Sequence, residues 1–392
     1  GCVEQTTSPM LTALNTDQYY RNTTVDYDQQ KINNSVAGGM DRLAKGGAIG
    51  QHDNGAWSMY GSNPSGDLFY TVYALYGTSE VANDPVQGQR SDVQDSINMT
   101  NKTAAVNWLS SKQRDDGSFE SNWYYEDRRS MTGLTLVSLD QADQASVNNT
   151  TVNPIRGNAA QYLVDTQNGD GSWTAEDGDS SAMVTALAVR GLATTSDENI
   201  SGVNDTAVQQ AINNGTAYLH ESQKTDGSWE GYHDQWSYAS QGSISESTAH
   251  ALIALDATGV DNQNATVQSG HSYLKTVYEE DGSWGYTRAT AISIEALQTV
   301  SSGIPTSQEV TITLSNETQV LYTETVKVNS SSSSLKTVSL SSLNNQTLVD
   351  IRDTDQTEYE VTVSTEGDGL VIVSASNEQL INENEYEANG GA

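Results

Sequence analysis

The chain has 392 residues, with 51 acidic against 18 basic side chains, a formal net charge of −33, and 35% hydrophobic residues. That length allows two or three domains around a large core, whereas the charge excludes nucleic acid as a partner, because phosphate contacts need clustered Lys and Arg. No apolar run approaches the ~20 residues needed to cross a bilayer, so membrane insertion of this segment is not expected, and so acidic a chain suits strong salt, where self-repulsion is screened.

The first element is the opening Gly1-Cys2-Val3-Glu4-Gln5, in which Cys2 is the only cysteine of the chain. An internal disulfide is thereby excluded, and stability must come from packing. A thiol three positions before a glutamine can close an intramolecular thioester, its sulfur bonded to the former amide carbon. Thiolate is a good leaving group, so an amine or hydroxyl can then take the Gln5 acyl group. The competing reading of Cys2 is an inert small residue. A helix is expected after Pro9, with Leu11, Leu14, Tyr19 and Tyr20 on it.

A repeat follows: an aromatic and a leucine, a glutamine five residues after the aromatic, then Asp-Gly-Ser and a second aromatic. It reads Trp108-Leu109, Gln113, Asp116-Gly117-Ser118-Phe119; Tyr162-Leu163, Gln167, Asp170-Gly171-Ser172-Trp173; and Tyr218-Leu219, Gln223, Asp226-Gly227-Ser228-Trp229. Looser copies flank these, at Gln51 to Trp57 and at Tyr273 to Trp284, the last with Tyr278 in the glutamine position. The closing aromatics lie 54 to 62 residues apart, a period that signals a repeat architecture. Asp-Gly stops a helix, and an apolar segment with helical spacing follows each turn, such as Leu68–Leu75, Met131–Leu139, Ala182–Leu192, Ala249–Leu255 and Ala289–Leu297. About six helical hairpins, eleven or twelve helices, close into an α/α toroid over residues 1–302, mainly α in class. The turn aromatics are expected to staple each outer helix to the next.

From residue 303 the spacing changes to strand-like alternation: Val310–Leu314, Val320–Tyr322, Val326–Val328, Val338–Leu340, Tyr359–Val363 and Leu370–Val373. A small, incomplete β-sandwich is expected over 303–384, with a polar tail at 385–392. Asn-X-Ser/Thr sequons recur, among them Asn22, Asn98, Asn101, Asn148, Asn199, Asn214, Asn264, Asn316 and Asn345. Their density fits a glycosylated extracellular or cell-surface protein. His52, His220, His233, His250 and His271 are scattered without metal-ligand spacing, and Asn168-Gly169-Asp170-Gly171 lacks the acids of a calcium loop. No metal and no cofactor are expected.

The opening motif, the His52-Asp53-Asn54-Gly55 turn, Trp108-Leu109 with Lys112-Gln113 before Asp116-Gly117-Ser118-Phe119, and the helix Ala289–Val300 together resemble the thioester-containing domain of alpha-macroglobulins and complement proteins. The β segment is similar to the second half of the CUB-type domain that carries the toroid in that family, and the chain is read as a prokaryotic or archaeal relative. The resemblance implies an α/α toroid, Cys2 as thioester sulfur, Gln5 as acyl donor, and Glu4 as the motif's acid outside the ring. Val3 departs from the family's glycine, and a β-branched residue narrows the backbone of a strained ring. Relatives that favour hydroxyl targets carry a histidine in the loop corresponding to 120–129. Here that loop has Trp123, Tyr124, Tyr125, Glu126 and Asp127 but no histidine, which implies the amine-reactive type, with those side chains as candidates for shielding the bond.

Three functions are therefore in play. The first is covalent capture of amine-bearing targets, proteases among them, in a single turnover that is not enzyme catalysis. The second is an adhesin or filament subunit that attaches through the thioester or a β edge to neighbouring subunits or other domains. The third is a toroid enzyme or carrier of the terpene cyclase, prenyltransferase or corrinoid-binding kind, which would want an Asp-rich cavity or zinc ligands.

Overall fold

The computed structural model describes residues 1–21, 26–45, 48–120, 127–145, 147–175, 180–196, 200, 203–231, 241–279, 282–300, 308–316, 320–328 and 359–366. Its helices are α1 (Val3–Arg21), α2 (Gln29–Leu43), α3 (Leu68–Asn83), α4 (Ser91–Met99), α5 (Lys102–Ser110), α6 (Arg128–Gln144), α7 (Asn149–Asp165), α8 (Ala182–Ala193), α9 (Asp205–Ser222), α10 (Gln241–Ala257), α11 (Ala265–Thr276) and α12 (Thr287–Val300). α1 packs on α3, α3 on α6, α6 on α8, α8 on α10, α10 on α12, and α12 returns to α1. Those six form a closed inner ring, and the more polar helices stand outside it. The toroid expected from the repeats is present.

Burial explains which helix lies where. α3 and α8 are buried on nearly every face, from Phe69 to Ser79 and from Ala182 to Leu192, whereas α9 buries only Val208, Ala211, Ile212, Gly215 and Leu219. A helix apolar or small all round must have neighbours all round, and only the inner wall supplies them. At one mouth of the ring a cavity of about 320 Å³ is lined by Gln18, Glu80, Gln141, Thr194, Ala257 and Thr299, late residues of each inner helix. The six inner helices therefore run in the same direction, and Cys2 lies at the opposite mouth.

The repeat is a hydrogen-bonded staple. Asp116, Asp170 and Asp226 each accept from the backbone N–H and the hydroxyl of the serine two residues later. Gln113, Gln167 and Gln223 donate to the glycine carbonyl of their own turn and to a carbonyl of the next outer helix, at Ile155, Ala211 and Thr266. Trp57, Trp173, Trp229 and Trp284 are buried, and their indole N–H groups donate to Leu43, Leu163, Leu219 and Leu274. The turn glycine is obligatory: Gly171 has φ +87°, and a Cβ there would lie 2.4 Å from the Asn214 carbonyl oxygen.

Three sequence expectations are refined. α1 begins at Val3 rather than after Pro9. Pro9 and Gln5 both face solvent, so the proline's missing N–H strips an intrahelical donor only from the exposed Gln5 carbonyl. Asn101, Asn148 and Asn264 cap α5, α7 and α11, accepting from the N–H of Ala104, Thr150 and Thr266, so at these positions the Asn also serves as a helix cap. Strands read separately at 320–322 and 326–328 are one strand, because Thr323-Glu324-Thr325 between them contains no turn residue.

The strands are β1 (Trp173–Thr174), β2 (Ser180–Ser181), β3 (Gln308–Asn316), β4 (Val320–Val328) and β5 (Tyr359–Glu366). β1 and β2 pair within the third repeat, and β3 lies antiparallel between β4 and β5, with Ile312 opposite Glu324 on one side and Val363 on the other. The strands read at 338–340 and 370–373 and the tail 385–392 lie outside the described residues.

Gly171→Ala should cost ~2 kcal/mol or more. Gly169→Ala, two residues away with nothing within 4 Å of the added Cβ, should stay within about 0.5 kcal/mol of the parent. Urea unfolding of the two variants checks the pair.

Candidate functional site

The start of α1 explains how Cys2 and Gln5 meet. Cys2 is the residue before the first helical turn, and Gln5 is the third residue in it. The Gln5 backbone N–H donates to Cys2 Sγ at 3.4 Å, and the Cys2 backbone N–H donates to Gln5 Oε1 at 3.3 Å. This is the reciprocal geometry of a capping box, with a thiol in place of the usual hydroxyl and Gln in the third position. Helix capping, which needs no special chemistry, thus gathers the sulfur and the carboxamide onto one helical turn, each on the other residue's backbone N–H. The Cys2 N–H also polarises the Gln5 carbonyl in the sense that makes its carbon electrophilic.

The surroundings hold that geometry. Val3, the first helical residue, is fully buried, and its N–H donates to the Met59 carbonyl at 3.0 Å. It therefore adopts a helical conformation open to a β-branched side chain. Arg42 of α2 donates to the Gly1 carbonyl at 3.3 Å. A Cβ on Gly1 would stand 3.1 Å from Gln5 Oε1, so glycine leaves room for the glutamine to fold back. Cys2 is a free, buried thiol, 3% exposed, while Gln5 faces solvent. The sulfur is sheltered and the acyl carbon's side is open.

Residues 1–168 match the family model of the A-macroglobulin TED domain. The thioester-domain resemblance holds there. A second family model, that of the squalene-hopene cyclase C-terminal domain, matches residues 131–296, a stretch that includes the staples of Gln167 to Trp173 and Gln223 to Trp229. No curated protein matches the chain.

Around the thioester-domain motif the ring mouth carries a charged network. Glu4 Oε1 accepts from Ser8 Oγ at 3.1 Å, Ser8 Oγ meets Tyr73 OH at 2.9 Å, and Glu4 Oε2 lies 3.9 Å from Cys2 Sγ, within the long reach of a sulfur hydrogen bond. Burial pushes the Glu4 carboxyl above the ordinary carboxylate value against the opposing pull of Arg288 and Ser8. Glu246 of α10 is 1% exposed and pairs with Arg288 of α12 at 2.5 and 3.1 Å; Tyr286 OH donates to it as well. Burial raises Glu246, but Arg288 and His250 overcome this and hold it well below the ordinary range. Burial keeps His250 below the usual histidine value despite Glu246 at 3.9 Å.

Of the other residues read from the sequence, Trp123, Tyr124, Tyr125 and Glu126 lie outside the described residues. Asp127 is fully buried and caps α6, accepting from the Ser130 N–H at 2.8 Å and hydroxyl at 2.7 Å. His52 binds the Ser58 hydroxyl at 3.0 Å, on the same loop as Met59. Sequence reasoning missed Ser8, Tyr73, Glu246, Tyr286 and Arg288. Ser8 was within reach, since it follows Glu4 by one helical turn. The others come from three further helices and their connections, and no local spacing announces them.

Arg288→Met leaves Glu246 buried without its cation and should cost about 3–5 kcal/mol at pH 7. Because Glu246 is depressed in the folded state, its pairing stabilises above the ordinary carboxylate range and is lost as pH falls. The penalty of the variant should therefore shrink as pH falls, because burial without Arg288 makes Glu246 of the variant take up a proton at a higher pH than the paired carboxylate of the parent, measured by urea titrations across pH.

Proposed function

We propose that the chain is an extracellular covalent-capture module. Cys2 Sγ attacks the Gln5 side-chain carbonyl carbon, the amide nitrogen leaves as ammonia with the thiol proton, and a thioester stores an activated acyl group. A target amine later attacks the same carbon; a Gln5–amide bond forms, the carbon–sulfur bond breaks, and Cys2 is released as a thiol. Each molecule reacts once, so this is not turnover catalysis. The observation that carries the reading is the reciprocal cap, which sets a buried thiol and a solvent-facing carboxamide on each other's backbone N–H within one helical turn. The family match over this region supports it. Targets are then surfaces or proteins that display lysine, proteases among them. The polar, acidic composition suits an extracellular setting, and among the described residues no helix is long and apolar enough to cross a membrane.

The cyclase-domain match raises a second reading, a toroid enzyme. The aspartates of the repeat speak against it. Asp116, Asp170 and Asp226 cap their own turns, and of the four acids that do line the cavity, Glu80, Asp140, Asp256 and Glu295, Asp140 pairs with Arg156 and Glu295 with Arg190.

Intact mass spectrometry checks the capture reading. The untreated chain should weigh about 17 Da less than its sequence, and methylamine should restore a heavier chain with one new thiol. In Cys2→Ser, which keeps the cap, both changes should vanish. Full mass with a titratable thiol in the untreated parent contradicts the reading.

A further inference from the structure

Thioester aminolysis needs a proton to move: the attacking nitrogen becomes acidic as it bonds to carbon, and the departing sulfur becomes basic. Among the described residues, the side chain of Glu4 lies within hydrogen-bond reach of the sulfur from outside the ring atoms. Glu4 Oε2 is 3.9 Å from Cys2 Sγ, its other oxygen is anchored by Ser8 Oγ at 3.1 Å, and Ser8 is held in turn by Tyr73 OH at 2.9 Å. The carboxyl thus has one oxygen fixed and one directed at a reacting atom. We propose that Glu4 is the proton relay of the Cys2–Gln5 acyl transfer and sets its pH window.

The inference rests on the thioester reading and adds a residue role to it. A neutral amine attacks Gln5 Cδ; as the carbon–nitrogen bond forms, the Glu4 carboxylate accepts the proton the nitrogen sheds. The Cδ–Sγ bond breaks with its electron pair on sulfur, and Glu4 passes the proton to Sγ. The products are an amide on Gln5, a neutral thiol on Cys2, and Glu4 again as carboxylate. Closure runs the same transfer backward, with the thiol proton delivered to the departing ammonia. An acid–base group so placed contributes on the order of 100-fold or more.

The groups facing Glu4 set its ionisation. At the head of α1 and on it these are Cys2 and Ser8; α3 contributes Tyr73, α10 contributes Glu246, and α12 contributes Arg288. Burial and Glu246 favour the neutral acid, whereas Arg288, Ser8 and Cys2 favour the carboxylate, and the balance lies above the ordinary value. The relay is active once Glu4 has ionised, so the rate per neutral amine rises with pH through a midpoint above 4.5, the ordinary glutamate value.

The test uses the full chain, with hydroxylamine as a weakly basic amine, and follows thiol release and mass from pH 4 to 8 for the parent, Glu4→Gln and Ser8→Ala. The parent should lose about 17 Da on closure and open with a rising pH profile. Glu4→Gln should open roughly 100-fold more slowly with a flat profile, or keep full mass because closure fails while the fold, read by circular dichroism, is intact. Ser8→Ala removes a hydrogen bond that favours the carboxylate and should shift the midpoint upward. If Glu4→Gln fails to fold, Ser8→Ala decides: an unmoved midpoint overturns the relay. Glu4→Gln opening within threefold of the parent, with the same profile, overturns the relay alone. A parent of full mass removes the thioester reading and the relay with it.

Discussion

The paired hydrogen bonds at the head of α1, Gln5 N–H to Cys2 Sγ and Cys2 N–H to Gln5 Oε1, are the constraint on which the chemistry depends. A helix leaves its first N–H groups unpaired, and side chains at the cap and at the third position satisfy them. Filling those two positions with a thiol and a carboxamide turns a stability device into an arrangement for acyl chemistry. The same contacts that order the helix bring the reactants together, so their approach carries no separate entropic cost at the moment of reaction.

That head must itself be immobile, and the closed ring supplies the rigidity. α1 lies in the inner wall between α12 and α3, with α2 outside it. The staples fix each turn to the next outer helix, and buried polar contacts tie the inner helices to one another. Arg190 of α8 meets Glu295 of α12 at 2.6 Å, and Tyr76 of α3 donates to the same carboxylate at 2.9 Å. Removing one member of such a network leaves a charge in an interior that cannot hydrate it. The two mouths of the ring consequently differ. One, opposite Cys2, holds a cavity lined by Glu80, Asp140, Asp256 and Glu295; the other gathers Glu4, Glu246 and Arg288 beside the thiol. At the first mouth, burial raises Glu80 to about 7.

Much of this was legible in the sequence where the cause is local. Asp170-Gly171-Ser172-Trp173 names its own turn: the aspartate caps, the glycine takes positive φ, and the tryptophan fills the gap. Repetition of that unit made the ring readable. Cys2 and Gln5 stood out as a lone thiol three positions before a glutamine, whereas their place on one helical turn emerged only with α1 beginning at Val3. What escaped depends on closure of the ring, which brings Arg288 to within reach of Glu4 although 284 positions separate them in the chain. Some sequons have a second physical reason: Asn before a helix caps it, and Thr two residues later is a common first-turn residue, so Asn148-Asn149-Thr150 fits the glycosylation pattern and also serves α7. Pro9 misled, since a proline on a solvent-facing helical surface need not begin the helix.

The central claim concerns two atoms, and crystallographic density at the head of α1 in an untreated preparation tests it most directly. The account predicts unbroken density joining Cys2 Sγ to Gln5 Cδ at single-bond distance, with Glu4 beside the sulfur. Separate side chains, with the carboxamide turned into solvent and the thiol packed away from it, would contradict it.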